Sequence, residues 1–352
     1  MLTHAALLLL VLLPQQPAAA GSPDVEWNAA MALKQQNKFT EGAAAFEAFA
    51  KAHTDEPRAA QALLEAGVCW IGLAKTQQVL HRNTPVSTAT FQDANKLFAR
   101  VLAEKPADPV APRAQYLCGQ IALYLGDAEG ALKVFDKAVT TLKPEAEYAS
   151  KCLERRAFTR RQLLDNEGAV HDLTEYLKNA PASDSIEITR RALRMTQSLE
   201  RPAPPLQAEH WALSDPLAPE AFLGDVVVVC FLASWCDKCA REKEYEKDLK
   251  KRFEPRGVRF VGVIQPWQQH DGKTRHTLET FTAFAAGSGY GFPLLLDSGD
   301  GPGATAVAFG CESLPDMALI DRTGRLRWHD HPATLLDATL EKLLREEGEK
   351  PR

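Results

Sequence analysis

Two cysteines three residues apart, Cys236 and Cys239, stand in the segment Ala233-Ser-Trp-Cys-Asp-Lys-Cys239. They follow an unbroken apolar, β-branched run from Val226 to Leu232 and precede a charged stretch with Tyr245, Leu249 and Phe253 at helical spacing. That order predicts a strand buried on both faces, a tight turn, and a helix that starts at the cysteines. At such a start both sulfurs lie within disulfide reach. The unpaired N–H groups and the helix dipole there favour an anion. Cys236 is therefore expected to have a thiol pKa below the usual value and to attack as the thiolate. Cys239, one turn inside, is expected to resolve the mixed disulfide that forms at Cys236.

Other uses of the pair are weaker. A zinc site needs a second pair of ligands. The chain has no second CxxC, and His270, His276, His329 and His331 show no ligand spacing, so neither metal nor cofactor is expected. His329-Asp-His331 reads as a solvated turn. A purely structural disulfide in so small a ring would stabilise little. Cys230 falls in mid-strand and reads as core, as do Cys69, Cys118 and Cys152 on predicted helices. Cys311 reads as a buried thiol, with a third redox cysteine as the alternative. Gly299-Asp-Gly-Pro-Gly303 lacks the Lys-Ser/Thr of a phosphate loop and reads as a turn.

The elements that must hold the cysteines can be placed along residues 206–347. Further strands are predicted at Val258 to Ile264, Phe292 to Leu296 and Asp316 to Asp321, the last paired in a hairpin with Arg325 to Trp328. Helices are predicted around Leu278, Phe281 and Phe284, and around Leu336, Leu340, Leu343 and Leu344. Strands alternating with helices make an α/β sandwich.

Residues 24–200 differ in kind. They are rich in Ala, Leu, Lys, Glu and Gln, with apolar residues at helical spacing. Gly119, Gly126, Ala131, Phe135, Ala138 and Pro144 form a pattern that closely resembles the tetratricopeptide repeat. Weaker copies are Ala94, Phe98, Val101 and Pro106, then Ala169, Leu173, Tyr176 and Pro181, with Gly42, Phe46 and Phe49 as a degenerate first unit. Such units bury their apolar faces only by stacking, so an all-α solenoid is expected. Its concave surface would bind a peptide or protein partner, or only scaffold. Residues 201–205, Arg-Pro-Ala-Pro-Pro, cannot continue a helix and read as a linker between two domains with separate cores.

Residues 1–20 hold a short apolar run, Ala5 to Leu13, then Ala18-Ala19-Ala20. This reads as a cleaved secretory signal, which points to export, into a bacterial periplasm, where disulfide chemistry is permitted. The chain of 352 residues is 45% hydrophobic and 25% charged, ordinary for a globular protein of two domains. A net charge of −5 gives no reason to expect nucleic acid as a partner.

From Gly224 to Leu344 the sequence resembles the TlpA/ResA-like branch of the thioredoxin superfamily. The resemblance rests on Gly224-Asp-Val-Val-Val-Val, on the segment ending in Trp235-Cys-Asp-Lys-Cys239, and on Phe309 to Gly324. It implies a thioredoxin-like fold, a redox-active Cys236–Cys239 disulfide, and a cis proline at Pro315 lying against the pair. It also implies that Trp235, Leu314 and Pro315 form the place where an extended client binds. Three positions depart from the thioredoxin pattern. Cys230 replaces a buried acid, Glu244 replaces a helix-kinking proline, and Asp237-Lys238 replaces the frequent Pro-Pro. The implied function is exported thiol–disulfide exchange on protein disulfide or dithiol clients, with a membrane electron donor restoring the dithiol and the repeats recruiting partners. The alternative is a non-enzymatic scaffold whose thioredoxin-like domain is vestigial.

Overall fold

The computed structural model describes residues 22–348 except 79–82, 143–146, 180–184, 218 and 332–335. The expected signal segment 1–20 and the repeat-ending Pro144 and Pro181 lie outside these residues.

Nine helices come first among the described residues: α1 (Pro23–Gln35), α2 (Phe39–Ala52), α3 (Ala59–Thr76), α4 (Pro85–Glu104), α5 (Ala111–Tyr124), α6 (Ala128–Thr141), α7 (Glu147–Gln162), α8 (Asn166–Asn179) and α9 (Ser185–Ser198). Each packs mainly on its neighbours in sequence, the mark of a stacked array. The repeat positions do the stacking. Ala94, Phe98 and Val101 are fully buried, as are Ala131, Phe135 and Ala138. Close approach requires glycine at two of the contacts. A Cβ on Gly67 would stand 2.5 Å from the Phe98 ring, and one on Gly119 would stand 2.4 Å from the Phe135 ring. Cys69 and Cys152 are buried as expected, while Cys118 is half-buried at the wall of a groove between α4, α5 and α6. Burial raises the three thiols, to about 11 for Cys69 and about 12 for the other two.

The second part is a six-stranded sheet in the order β1-β4-β3-β2-β5-β6. Its strands are β1 (Ala208–Ala212), β2 (Val226–Leu232), β3 (Val258–Ile264), β4 (Leu294–Asp297), β5 (Asp316–Ile320) and β6 (Leu326–Asp330). Strands β2, β3 and β4 run parallel, and β1, β5 and β6 are antiparallel to their neighbours. Every residue of β2 is buried. Val226, Val228, Cys230 and Leu232 face a core formed with α10 (Asp237–Phe253), α11 (Leu278–Ser288) and α13 (Leu336–Glu347). Val227, Val229 and Phe231 face the opposite core with α12 (Ala304–Phe309). Strand β1 and helix α12 were not foreseen. Both are short, and β1 shows only a weak alternation of burial.

The two parts share their cores. Leu199, from the end of α9, is buried in the α12 face of the sheet, and Leu164 packs against the α10 face. The segment expected as a linker is stitched to the sheet edge. Glu200 N–H donates to Leu326 O at 2.7 Å, Leu326 N–H to Arg201 O at 2.9 Å, and Ala203 N–H to Gly324 O at 2.8 Å. Buried polar groups complete the joint. Arg161 donates to His329 O and pairs with Asp330 at 3.0 Å, and Thr339 donates to Gln162 O at 3.1 Å.

His329 therefore corrects the solvated-turn reading. It is 1% exposed within β6, and its Nε2 lies 3.0 Å from an oxygen of Asp316, which is itself buried. A hairpin edge would normally leave one face wet, but the helical part covers this one.

Candidate active site

Strand β2 delivers the chain to the site at Leu232, and a turn closed by Cys236 N–H donating to Ala233 O leads into α10. Cys236 is the residue that caps this helix, and its Sγ accepts the Cys239 N–H at 3.0 Å. The two cysteines are joined by a disulfide, with their Cα atoms 5.2 Å apart. Cys236 is 8% exposed and Cys239 1%, so only the first sulfur has an opening to solvent. A sulfur held by a helix-terminal N–H is stabilised as an anion.

The turn is bolted in place from outside. Ser234 hydrogen-bonds His276 Nε2 at 2.9 Å, and the His276 N–H donates to Pro266 O at 2.8 Å. Burial holds the His276 pKa below its usual value. Trp235 meets the His270 ring edge-on, centroids 4.8 Å apart. These groups open onto a cleft of about 860 Å³ whose lining includes Trp235, Cys236, Trp267, His270, Ser313 and Leu314. The Leu314–Pro315 peptide bond is cis and leads directly into β5. Leu314 also packs on the buried cluster that contains both cysteines. Cys236, Trp235 and Leu314 thus share one cleft. Cys239 lies beneath it, and Pro315 fixes the loop that bounds it.

Residues 200–329 match the AhpC/TSA family, and residues 28–73 and 89–147 match the tetratricopeptide repeat. The chain is a tetratricopeptide array joined to a thioredoxin-like domain.

Over 106 residues it is 28% identical to the thiol-disulfide oxidoreductase ResA of Geobacillus thermodenitrificans, a match covering 30% of this chain and 54% of that protein. Over 66 residues it is 36% identical to protein FixW of Rhizobium leguminosarum, covering 19% of this chain and 29% of that one. The matches thus span about half the length of the first relative and under a third of the second. Among solved structures, a thioredoxin-like superfamily protein is 26% identical with a TM-score of 0.38, covering 43% of this chain and 99% of its own. A thiol-disulfide isomerase from Corynebacterium glutamicum is 24% identical with a TM-score of 0.36, covering 41% of this chain and 97% of its own.

The thioredoxin-like domain buries its remaining cysteines. Cys230 is fully buried and its thiol is raised well above the usual value, by burial first and by the charge of Glu246 second. Cys311 is 5% exposed and raised in the same way, by burial first and then by Asp316. Among the described residues, no group of three or more His, Cys, Asp or Glu could hold a metal ion.

Sequence reasoning missed Glu246. It is 0% exposed, and no hydrogen-bond donor among the described residues reaches either carboxylate oxygen. A signal was present. Cys239, Glu246 and Phe253 are seven residues apart on α10, so one stripe carries all three inward.

Proposed function

We propose that this protein is a thiol–disulfide oxidoreductase that exchanges disulfides of protein clients through Cys236 and Cys239. The observation that carries the reading is the placement of Cys236. Its sulfur caps α10, accepts the Cys239 N–H, and faces a cleft bounded by the loop before the cis Leu314–Pro315 bond. A thiolate there attacks one sulfur of a client disulfide and expels the other as a client thiolate. Cys239 then attacks Cys236 of the mixed disulfide, releases the second client thiolate, and leaves the Cys236–Cys239 disulfide. Two electrons pass from the dithiol to the client, so a dithiol donor must restore the pair. The Ala5-to-Leu13 run followed by Ala18-Ala19-Ala20 supports an exported enzyme with a membrane-bound donor. The tetratricopeptide array supplies the surface for recruiting a client or that donor.

Reduction of insulin disulfides driven by dithiothreitol tests the reading. The full chain should accelerate precipitation of the insulin B chain, and Cys236→Ser should abolish that acceleration. Equal rates with and without the wild-type protein would leave the array as the working part and return the second domain to a scaffold role.

A further inference from the structure

A second cleft, of about 360 Å³, opens where the helical array meets the sheet. One wall comes from α7, α8 and α9, and the other from Ser313, Asp316, Asp330 and His331. Ser313 also lines the cleft that holds Cys236, so the two clefts adjoin at that residue. Its neighbour Glu312 lines the Cys236 cleft and stands 3.1 Å from Arg191 of α9, which lines the second. The loop before the cis Leu314–Pro315 bond thus divides two continuous spaces, one holding the disulfide and one walled by the array. An extended chain advances about 3.3 Å per residue, so a client lying along this loop passes from one cleft to the other within a few residues.

The second cleft is short of hydrogen-bond acceptors. Arg155, Arg161 and Arg191 all line it, and each has a buried Nε–H that donates to nothing among the described residues. The other nitrogens of Arg161 serve the His329 carbonyl and, at 3.0 Å, the Asp330 carboxylate. Asp316 faces His329 at 3.0 Å. Glu154 is the remaining acid of the lining, and it has no buried oxygen without a partner. Arg155 has neither an ion pair nor a hydrogen bond among the described residues. Its guanidinium lies 5.8 Å from the centre of the Phe158 ring, which lines the same cleft. Leu173, Ile188 and Met195 continue this apolar wall, with Ile188 69% exposed. An unpaired guanidinium set on an apolar wall suits a carboxylate that arrives beside an apolar side chain.

We propose that the client site extends past Ser313 into this second cleft, where Arg155 binds an acidic side chain of the client next to an apolar one. The client carboxylate accepts from the Arg155 guanidinium, and the apolar neighbour lies on Phe158, Ile188 and Met195. Glu154 on the same wall repels a second acid, so a single one is favoured. The array then supplies sequence preference to the exchange reaction, because the disulfide itself is the same in every client. The inference rests on the dithiol reading above.

Two measurements on the full chain separate the fates of the two. The first uses the disulfide form and fluorescent peptides in which a Leu-Glu pair is moved, one residue at a time, away from a central serine that replaces the client cysteine. At one spacing the Leu-Glu peptide should bind at least about fivefold more tightly than its Leu-Lys counterpart by fluorescence anisotropy, and Arg155→Glu should invert the order. Equal binding at every spacing, or an order unchanged by Arg155→Glu, would overturn the proposal whether or not the protein exchanges disulfides. The second presents the same peptides, with the cysteine restored as a mixed disulfide with glutathione, to the reduced chain. The exchange rate constant should show the same preference at the same spacing, and exchange without that preference would also overturn it. Failure to exchange with any peptide would count against the dithiol reading, with anisotropy still deciding on Arg155. Should Arg155→Glu fail to fold, crosslinking of the wild-type chain decides. A benzophenone placed beside the peptide glutamate should label α7 or α9, and labels confined to residues 206–347 would refute the proposal.

Discussion

Cys236 and Cys239 differ by a single helical turn, and that turn separates their chemistry. The first sulfur accepts an N–H at the helix start and borders the cleft, while the second is 1% exposed under it. In the reduced protein, competitive alkylation at pH 7 should therefore modify Cys236 several-fold faster than Cys239. Preferential labelling of Cys239 would reverse the assignment of roles. Cys69, Cys152, Cys230 and Cys311 are buried with raised thiols, so in the native protein they should label far more slowly than Cys236. Glu246 makes a separate prediction about stability. Its folded pKa is raised from 4.5 to about 8, so between those values the folded protein holds a proton that the unfolded chain has released. Stability should fall as pH rises through that window, by at most roughly 1.4 kcal/mol per pH unit, and level off above pH 8. Urea melts of Glu246→Gln across the same range should lose this component of the slope. An unchanged slope would show that another group dominates.

At the scale of elements, the repeats are held by rings laid on glycines. Phe135 is fully buried against Gly119, where a methyl group would stand 2.4 Å from the ring. Gly119→Ala should destabilise the array by about 1–3 kcal/mol through overpacking, although alanine is the better helix former by about 1 kcal/mol. The urea midpoint reads this directly, and an unchanged or raised midpoint would mean that α5 and α6 slide apart freely. The loop across the cleft from α10 is held by a different device. Asp297, at the end of β4, accepts the N–H groups of Thr305 and Ala306 at 2.9 Å each and so anchors the start of α12. That anchor places Gly301 and Pro302 at the cleft wall. The turn at 299–303 was legible from its glycines. Its attachment to Asp297 was not, because it depends on where a distant strand end arrives.

At the scale of the whole molecule, the joint between array and sheet behaves as core. Arg161 is buried between α7 and β6, with its guanidinium on the His329 carbonyl and the Asp330 carboxylate. Truncating it leaves buried polar groups unpaired, at a cost of about 1–3 kcal/mol. Arg161→Ala should therefore uncouple the two parts, and calorimetry should resolve two transitions in the variant and one in the wild type. A single transition at the wild-type temperature would indicate that the joint is incidental. A fragment starting at residue 206 loses the pairing of Glu200 to Ala203 with Gly324 and Leu326, and the buried Leu199. It should melt below the full chain, and equal stability would support the separate cores expected from the prolines alone.

What the sequence determined by itself is local. A continuous β-branched run can be buried only as a central strand, and β2 spans Val226–Leu232 as read. Two cysteines after it must meet at a helix start, and small and aromatic residues at fixed spacing must stack as helix pairs. The tertiary structure decided whatever depends on which surface arrives from elsewhere. The sequence around His329 looks like a polar turn, and it is buried because the helical part, with α9 packed on β6 and Arg161 of α7 on its backbone, covers the hairpin. The prolines at 202–205 stop a helix, but only the hairpin turn and the start of β6, at Gly324 to Leu326, turn that break into a paired segment. Glu246 was hidden for a related reason. It lies in a charged stretch, and only the strands packed behind α10 bury it, which raises its proton affinity.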